Sequence, residues 1–249
     1  MQMALDEVAA ETAAAGGPRT LRVYRWEPSC LSMGYRQDPD TVDWRFCERE
    51  GIDVTRRQTG GGGIYHDAFG DVSYSIVAPK SELPGKLMDC YRLLLEPVLD
   101  AFDRLGVGAD FVPEEREAVY HPACYLRALH PAHDLVAGGR KVAGNAQYRT
   151  RGAVIQHGSL TYSVRAEPHL GVFSEPGVSP ERFRERVTGI EEHTDASRAD
   201  TVGSVEDALG DWADAEAGSW TDAELNRAEE LAAEKYASEE WVRRTADDR

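Results

Sequence analysis

The sequence predicts a mixed α/β fold on three observations. Segments with apolar residues at helical spacing open the chain, cross its middle and close it. Residues 134–162 switch to short strands separated by glycine-rich turns, the pattern of consecutive hairpins. Finally, 249 residues, 41% hydrophobic and 8% aromatic, suffice to bury a core within one large domain, or a domain with a small appendage.

The elements follow in order. A helix is expected from about Met3 to Ala14, stopping at the Gly16-Gly17-Pro18 break. The alternation in Leu21–Trp26 and the apolar stretch Cys30–Tyr35 predict two strands paired with each other. Thr41–Glu50 is helical by the spacing of Val42, Phe46 and Cys47, and Gly51 closes it. Asp53–Arg57 reads as a strand entering a glycine run, with Asp71–Ala78 as the strand after it. Leu87–Leu105 is the longest amphipathic helix; Leu87, Tyr91, Leu94, Leu95, Val98, Leu99 and Phe102 form a stripe fit to pack on a sheet. Asp134–Val136, Lys141–Tyr148 and Ala153–Tyr162 are strands joined through Gly138-Gly139 and Arg149–Gly152. Ser179-Pro180-Glu181 starts a helix with a serine cap. Asp195–Thr201 reads as a polar surface loop, a minor boundary before a helical appendage from about residue 200, although the helices beyond look too short to stand alone. The capping box Thr221-Asp222-Ala223-Glu224 opens a helix over Leu225–Tyr236.

Composition excludes several functions. Asp plus Glu number 44 against 28 Lys plus Arg, a net charge of −16, which repels nucleic acid and anionic membranes. Lysine is confined to Lys80, Lys86, Lys141 and Lys235, and such an acidic surface is of the kind a high-salt cytoplasm favours. The first helix has no basic n-region, so it is not a signal peptide, and a cytoplasmic location is expected. Cys30, Cys47, Cys90 and Cys124 follow no CxxC spacing, which argues against a disulfide framework; Cys47 and Cys90 read as small core residues.

The strongest local signal is Thr55-Arg56-Arg57-Gln58-Thr59-Gly60-Gly61-Gly62-Gly63-Ile64-Tyr65-His66-Asp67. Consecutive glycines let a backbone approach a ligand and turn several N–H groups toward one point. Arg56 and Arg57 add cationic forks suited to a carboxylate or phosphate. The loop lacks the Gly-Lys-Ser/Thr ending of a P-loop and the GxGxxG-to-helix context of a dinucleotide site. A glycine-rich hairpin turn with no ligand, and a His66 that merely caps it, are the alternatives.

This signature resembles that of the lipoate–protein ligase and octanoyltransferase family, which shares its catalytic fold with biotin–protein ligases. Further stretches resemble the family in order: Met3-Ala4-Leu5-Asp6-Glu7, with Gln2 where an Asn is usual; Gly139-Arg140-Lys141-Val142-Ala143-Gly144-Asn145-Ala146-Gln147; Gln156-His157-Gly158-Ser159-Leu160; and Lys235–Trp241. The resemblance implies a single catalytic domain over residues 1–249, with a main sheet and a smaller sheet flanked by helices around a tunnel for a C8 chain. It implies a ligase that joins lipoate to AMP from ATP, releasing pyrophosphate, and passes the lipoyl group to a lysine of a lipoyl-domain protein of the 2-oxoacid dehydrogenase E2 or glycine-cleavage H type. On that mapping Lys141 contacts the reacting carbonyl and phosphate. Arg57 and the Gly62–Tyr65 backbone hold the nucleotide or acyl adenylate. Gly61, Gly63, Ile64, His66, Gly144, Ala146 and His157 count with them as substrate- or ATP-binding, and Asp134 resembles the acidic residue near the acceptor. ATP chemistry implies Mg²⁺, whose ligands the sequence does not name. Without the extra C-terminal domain of some ligases, a separate accessory protein is a further expected partner.

Cys124 offers a second reading. It stands 17 residues before Lys141, in a Cys-aromatic pair similar to that of octanoyltransferases, where the thiol takes octanoyl from acyl carrier protein without ATP. A nucleophilic thiol needs a neighbouring cation or base, for which Lys141, His121 and His133 are candidates. The bland alternative is an inert buried thiol. His121-x-x-Cys124 and His130-x-x-His133 also have spacings acceptable for zinc. A non-catalytic paralogue that binds lipoyl carriers is the remaining class; the retained Arg57, glycines and Lys141 argue against it.

Overall fold

The computed structural model describes residues 1–245. The chain opens with helix α1 (Gln2–Ala14), whose buried face carries Met3, Leu5, Val8 and Ala9. Strand β1 (Thr20–Tyr24) is half-buried throughout, whereas β2 (Cys30–Met33) is buried at every position. That difference separates two strands expected to pair. A strand buried on both faces needs neighbours on both edges. β2 finds them in β3 (Asp53–Arg56), parallel to it, and β4 (Ile64–His66), antiparallel. β1 instead becomes the edge of a larger sheet, antiparallel to β5 (Asp71–Pro79). Helix α2 (Trp44–Glu50) precedes β3, capped by Asp43 and closed by Gly51 at φ 65°.

The larger sheet has six strands, in the order β1, β5, β9 (Ala153–Thr161), β8 (Arg140–Arg149), β7 (Asp134–Ala137) and β6 (Ala109–Phe111). The hairpins expected over residues 134–162 are β7–β8 and β8–β9. Helix α3 (Leu87–Arg104) lays Leu94, Leu95, Val98 and Phe102 on this sheet against Val72, Tyr74 and Ile76. Each such side chain contributes about 1.5–3 kcal/mol by leaving water.

The segment read as a polar loop at Asp195–Thr201 is in part the start of helix α6 (Arg198–Ala213). Ser197 and Asp200 form a capping box there, and Thr201, Val205, Ala208 and Leu209 keep helical spacing. The cap was hidden because its residues are those of a surface loop. Ahead of α6 lie two short helices, α4 (Ala166–Gly171) and α5 (Pro180–Arg184), the latter capped by Ser179. Helix α7 (Asp222–Leu231) begins at the expected Thr221–Glu224 box and packs Ala228 and Leu231 on Met3, Leu5 and Val8 of α1. A π-turn (Ala232–Tyr236) and helix α8 (Glu239–Val242) finish the described chain. No helix among the described residues is long and apolar enough to cross a membrane.

Candidate active site

The two adjacent arginines at the glycine turn have separate tasks. Arg56, on β3, is fully buried and donates to the carbonyls of Gly34, Tyr35, Gln37, Trp241, Val242 and Arg244. It does not line the site cavity, so the expected phosphate fork at Arg56 is instead a structural tie. Arg57, one residue on, spends its N–H groups inward: Nε on Thr59 Oγ1 (2.9 Å), Nη1 on Ser32 O (2.7 Å) and Oγ (3.4 Å), Nη2 on Gly60 O (2.9 Å) and Gly62 O (2.7 Å). It holds the shape of the turn. Burial, and then the charge of Arg127, pull its pKa below the usual arginine range, offset in part by Cys124.

The glycines serve the neighbouring loop. A Cβ on Gly62 would stand 2.5 Å from Pro122 O and 2.9 Å from Cys124 N. Gly63 N donates to Pro122 O (2.7 Å), and Cys124 N donates to Gly63 O (2.8 Å). The backbone approach that only glycine permits therefore brings the Cys124 loop onto the turn. Gly61, at φ 94°, makes the bend itself.

Lys141 enters from β8, the opposite wall. It is 2% exposed, unlike a lysine on a solvated strand edge. The β7–β8 register shifts between Leu135 and Val136, opposite Lys141 and Ala143, and such bulges re-aim side chains. Nζ lies 2.7 Å from Asp134 Oδ1, 3.2 Å from Cys124 O and 3.9 Å from Cys124 Sγ. Burial opposes the ammonium, but Asp134 and, after it, Cys124 together outweigh burial and hold the Lys141 pKa above the ordinary range. For Asp134 burial opposes ionisation, and Lys141 more than compensates, holding the carboxyl far below the carboxylate range. Residues separated by 17 positions thus meet within contact distance, and a Cβ on Gly144 would stand 3.5 Å from the sulfur.

These groups face one cavity of about 460 Å³. Its lining includes Arg57, Gly61, Ile64, His66, Cys124, Asp134, Lys141, Gly144, Ala146 and His157, while Gly62, Gly63 and Tyr65 lie outside it. Tyr65 turns to Asp67 (3.0 Å) and His169 on the other side of β4. His66 is buried under the stacked ring of Trp26 (4.5 Å between centroids), with Ser32 Oγ and Asp71 Oδ2 at its two nitrogens. Burial pulls the His66 pKa below the usual histidine value, against the pull of Asp71. His157 is set by a relay: Arg57 donates to Thr59, whose hydroxyl reaches His157 Nε2 (2.8 Å), and Nδ1 reaches Asp6 Oδ2 (3.3 Å).

Met3, Tyr24, Trp26, Ser73, Tyr91, Arg127 and Asn145 also line the cavity and were not singled out in the sequence. Met3 and Asn145 lay within quoted motifs and Tyr91 in a stripe read as packing, while Tyr24, Trp26, Ser73 and Arg127 carried no signal of their own. The zinc reading fails: among the described residues no group of three His, Cys, Asp or Glu could hold a metal. His130 and His133 stack on each other instead, rings 5.1 Å apart and 8° from parallel. Every Arg57 N–H already has an acceptor within β2 and the turn. Of the cysteines, Cys30, Cys47 and Cys90 are buried, and Cys124 is partly open.

The architecture is that of lipoate ligases. A crystal structure of lipoate-protein ligase A bound with ATP superposes with a TM-score of 0.80 at 27% identity, covering 97% of this chain and 92% of that one. The sequence is 32% identical to octanoyltransferase LipM of Anoxybacillus flavithermus over 96% of this chain and 92% of that protein. It is 33% identical to the LipM of Geobacillus kaustophilus with the same coverage. The profile of the lipoyl protein ligase A/B catalytic domain matches residues 1–211. The chain belongs to this family of lipoyl ligases and octanoyltransferases, and it is an enzyme.

Proposed function

We propose that the enzyme is an octanoyltransferase, which takes an octanoyl group from a carrier thioester onto Cys124 and passes it to a lysine of a lipoyl domain. The observation that carries this reading is the cavity-facing Cys124 sulfur 3.9 Å from a buried ammonium. The identity to octanoyltransferases over nearly the whole chain supports it. Packing of α7 on α1 supports reading residues 1–245 as one catalytic unit.

In the first step the Cys124 sulfur attacks the donor carbonyl. A carbon–sulfur bond forms, the donor thioester breaks, and the carrier leaves as a thiol that takes up the proton Cys124 gave. In the second step the acceptor's neutral amine attacks the Cys124 thioester, the carbon–sulfur bond breaks, and the amine's proton passes to the leaving sulfur, giving an amide and the free Cys124 thiol. Lys141, kept cationic by Asp134, serves as a fixed positive charge beside sulfur and carbonyl oxygen in both steps. Gly144 leaves room for the acyl group at the sulfur.

The test is direct. Given octanoyl carrier protein and a lipoyl domain, the protein should transfer octanoyl without ATP and carry a thioester trapped at Cys124; Cys124→Ala should abolish both. The ATP-bound lipoate ligase of similar fold favours a second reading. Transfer from lipoate plus ATP with pyrophosphate release, persisting in Cys124→Ala, would establish it.

A further inference from the structure

In a chain of net charge −16, most exposed arginines are neutralised by a carboxylate: Arg140 by Glu192, Arg182 by Glu185, Arg184 by Glu167. Three around the Cys124 loop are not. Among the described residues Arg116, Arg127 and Arg186 form no ion pair and donate only to backbone: Arg116 to Gly139 O (2.7 Å), Arg127 to His121 O (3.1 Å), Arg186 to Glu117 O (3.0 Å). Arg186 Nε is buried with no acceptor at all.

Arg116 and Arg186 act on each other, and Arg127 stands at the site. Arg127 lines the cavity and acts on Arg57. Arg116 pairs across backbone with Leu129, two residues beyond Arg127. Arg186 O accepts the Lys141 amide (2.8 Å), and its guanidinium feels the charge of Arg116 and Arg182. Like charges held together without counter-ions cost free energy in the resting protein. Glu115 and Glu117, on the same loop, form no ion pair with them among the described residues. A guanidinium with most donors unspent suits phosphate oxygens, which it binds in a two-point fork.

Resting on the octanoyltransferase reading, we infer that Arg116, Arg127 and Arg186 dock the donor, gripping the phosphodiester of the arm that carries the acyl thioester and the acidic face of its carrier protein. The acceptor's lysine has no phosphate to offer. The three cations thereby favour the loaded donor in the first step, and an acidic enzyme can approach an acidic carrier without mutual repulsion.

The experiment compares wild type with Arg116→Glu/Arg186→Glu and with the milder Arg116→Gln/Arg186→Gln. Binding of phosphopantetheinylated carrier protein and of its arm-less form is titrated directly. Cys124 acylation is followed with octanoyl carrier protein and with octanoyl-pantetheine, which lacks the phosphate. The expected result is a fall of about tenfold or more in carrier affinity and kcat/KM, milder in the Gln variant and steeply salt-dependent in wild type. Octanoyl-pantetheine rates and the lipoyl-domain KM should stay unchanged. Equal losses for both donors, no loss for either, or a shift confined to the lipoyl-domain KM would overturn the docking site. Tight, arginine-dependent carrier binding without acylation would keep the docking site and reject the thioester reaction.

Discussion

Lys141 and Lys235 both sit in ion pairs, one at the cavity and one at the closing turn, and the contrast shows what burial changes. Lys141–Asp134 (2.7 Å) is buried on both sides, at 2% exposure each, beside the cavity sulfur. Lys235–Glu7 (2.8 Å) is about one-fifth exposed, shares Glu7 with the Tyr236 hydroxyl, and lies 4.7 Å from the Trp241 ring. The second pair joins the closing turn to α1 and has water to screen it. The first has taken two charges out of water, a cost only a close partner offsets. Removing one partner should therefore cost far more at the first place than at the second.

The largest effect is expected at Lys141→Met. Octanoyl transfer should fall about 100- to 1,000-fold, the loss typical of one missing donor at a developing charge. The uncompensated Asp134 should cost about 3–5 kcal/mol in urea unfolding. Lys141→Met/Asp134→Leu sharpens the contrast: stability should return to near wild type while transfer stays lost. Recovery of transfer in the double variant would sink the role given to Lys141.

The pH profile follows from the signs. Asp134 has a depressed pKa, so its contribution is present above the ordinary carboxyl value, about 4, and fades as pH falls below it. Lys141 has a raised pKa, so its contribution is present below the ordinary lysine value, about 10.4, and fades as pH rises through the folded value. Because a buried carboxyl left alone has its pKa raised, the clean comparison is with Lys141→Met/Asp134→Leu, which titrates at neither position. The stability gap between it and wild type should be flat from about pH 5 to about pH 9, with wild type losing ground outside that window. A gap that drifts across neutral pH would show that other groups dominate the pair.

Lys235→Met should do least. Unfolding should shift by about 1 kcal/mol or less, less still in high salt, and transfer rates should not change. A loss comparable to Lys141→Met would erase the distinction between the pairs.

The difference between the lysines was half legible in the sequence. Lys141 stood out because its motif and small neighbours marked a ligand path. Its burial partner Asp134 was seen only through resemblance, because a carboxylate seven residues upstream reaches the lysine only across the β7–β8 hairpin. The hairpins and α3 were readable from periodicity, which is local. The partners of β1 and β2 were not, since pairing depends on which strand must be covered on both edges. Adjacent Arg56 and Arg57 look alike as letters, yet strand alternation sends one to residues 241–244 and the other into the turn. The far wall of the cavity, with Trp26 and Tyr24, is assembled from segments whose composition says only that they are strands.

Arg56 also bears on the order in which the molecule is built. Its guanidinium is made early, yet several of its acceptors lie 185 to 188 residues later. Closing so long a loop is slow and entropically costly. A nascent chain emerging from the ribosome therefore holds the base of its glycine turn with Gly34, Tyr35 and Gln37 alone until residues 241–244 arrive. The thiol-bearing loop rests on that turn, so, on the proposed octanoyltransferase reading, acyl capture should begin only when synthesis has reached this last anchor, sparing half-made chains from taking up a group they have no means to deliver.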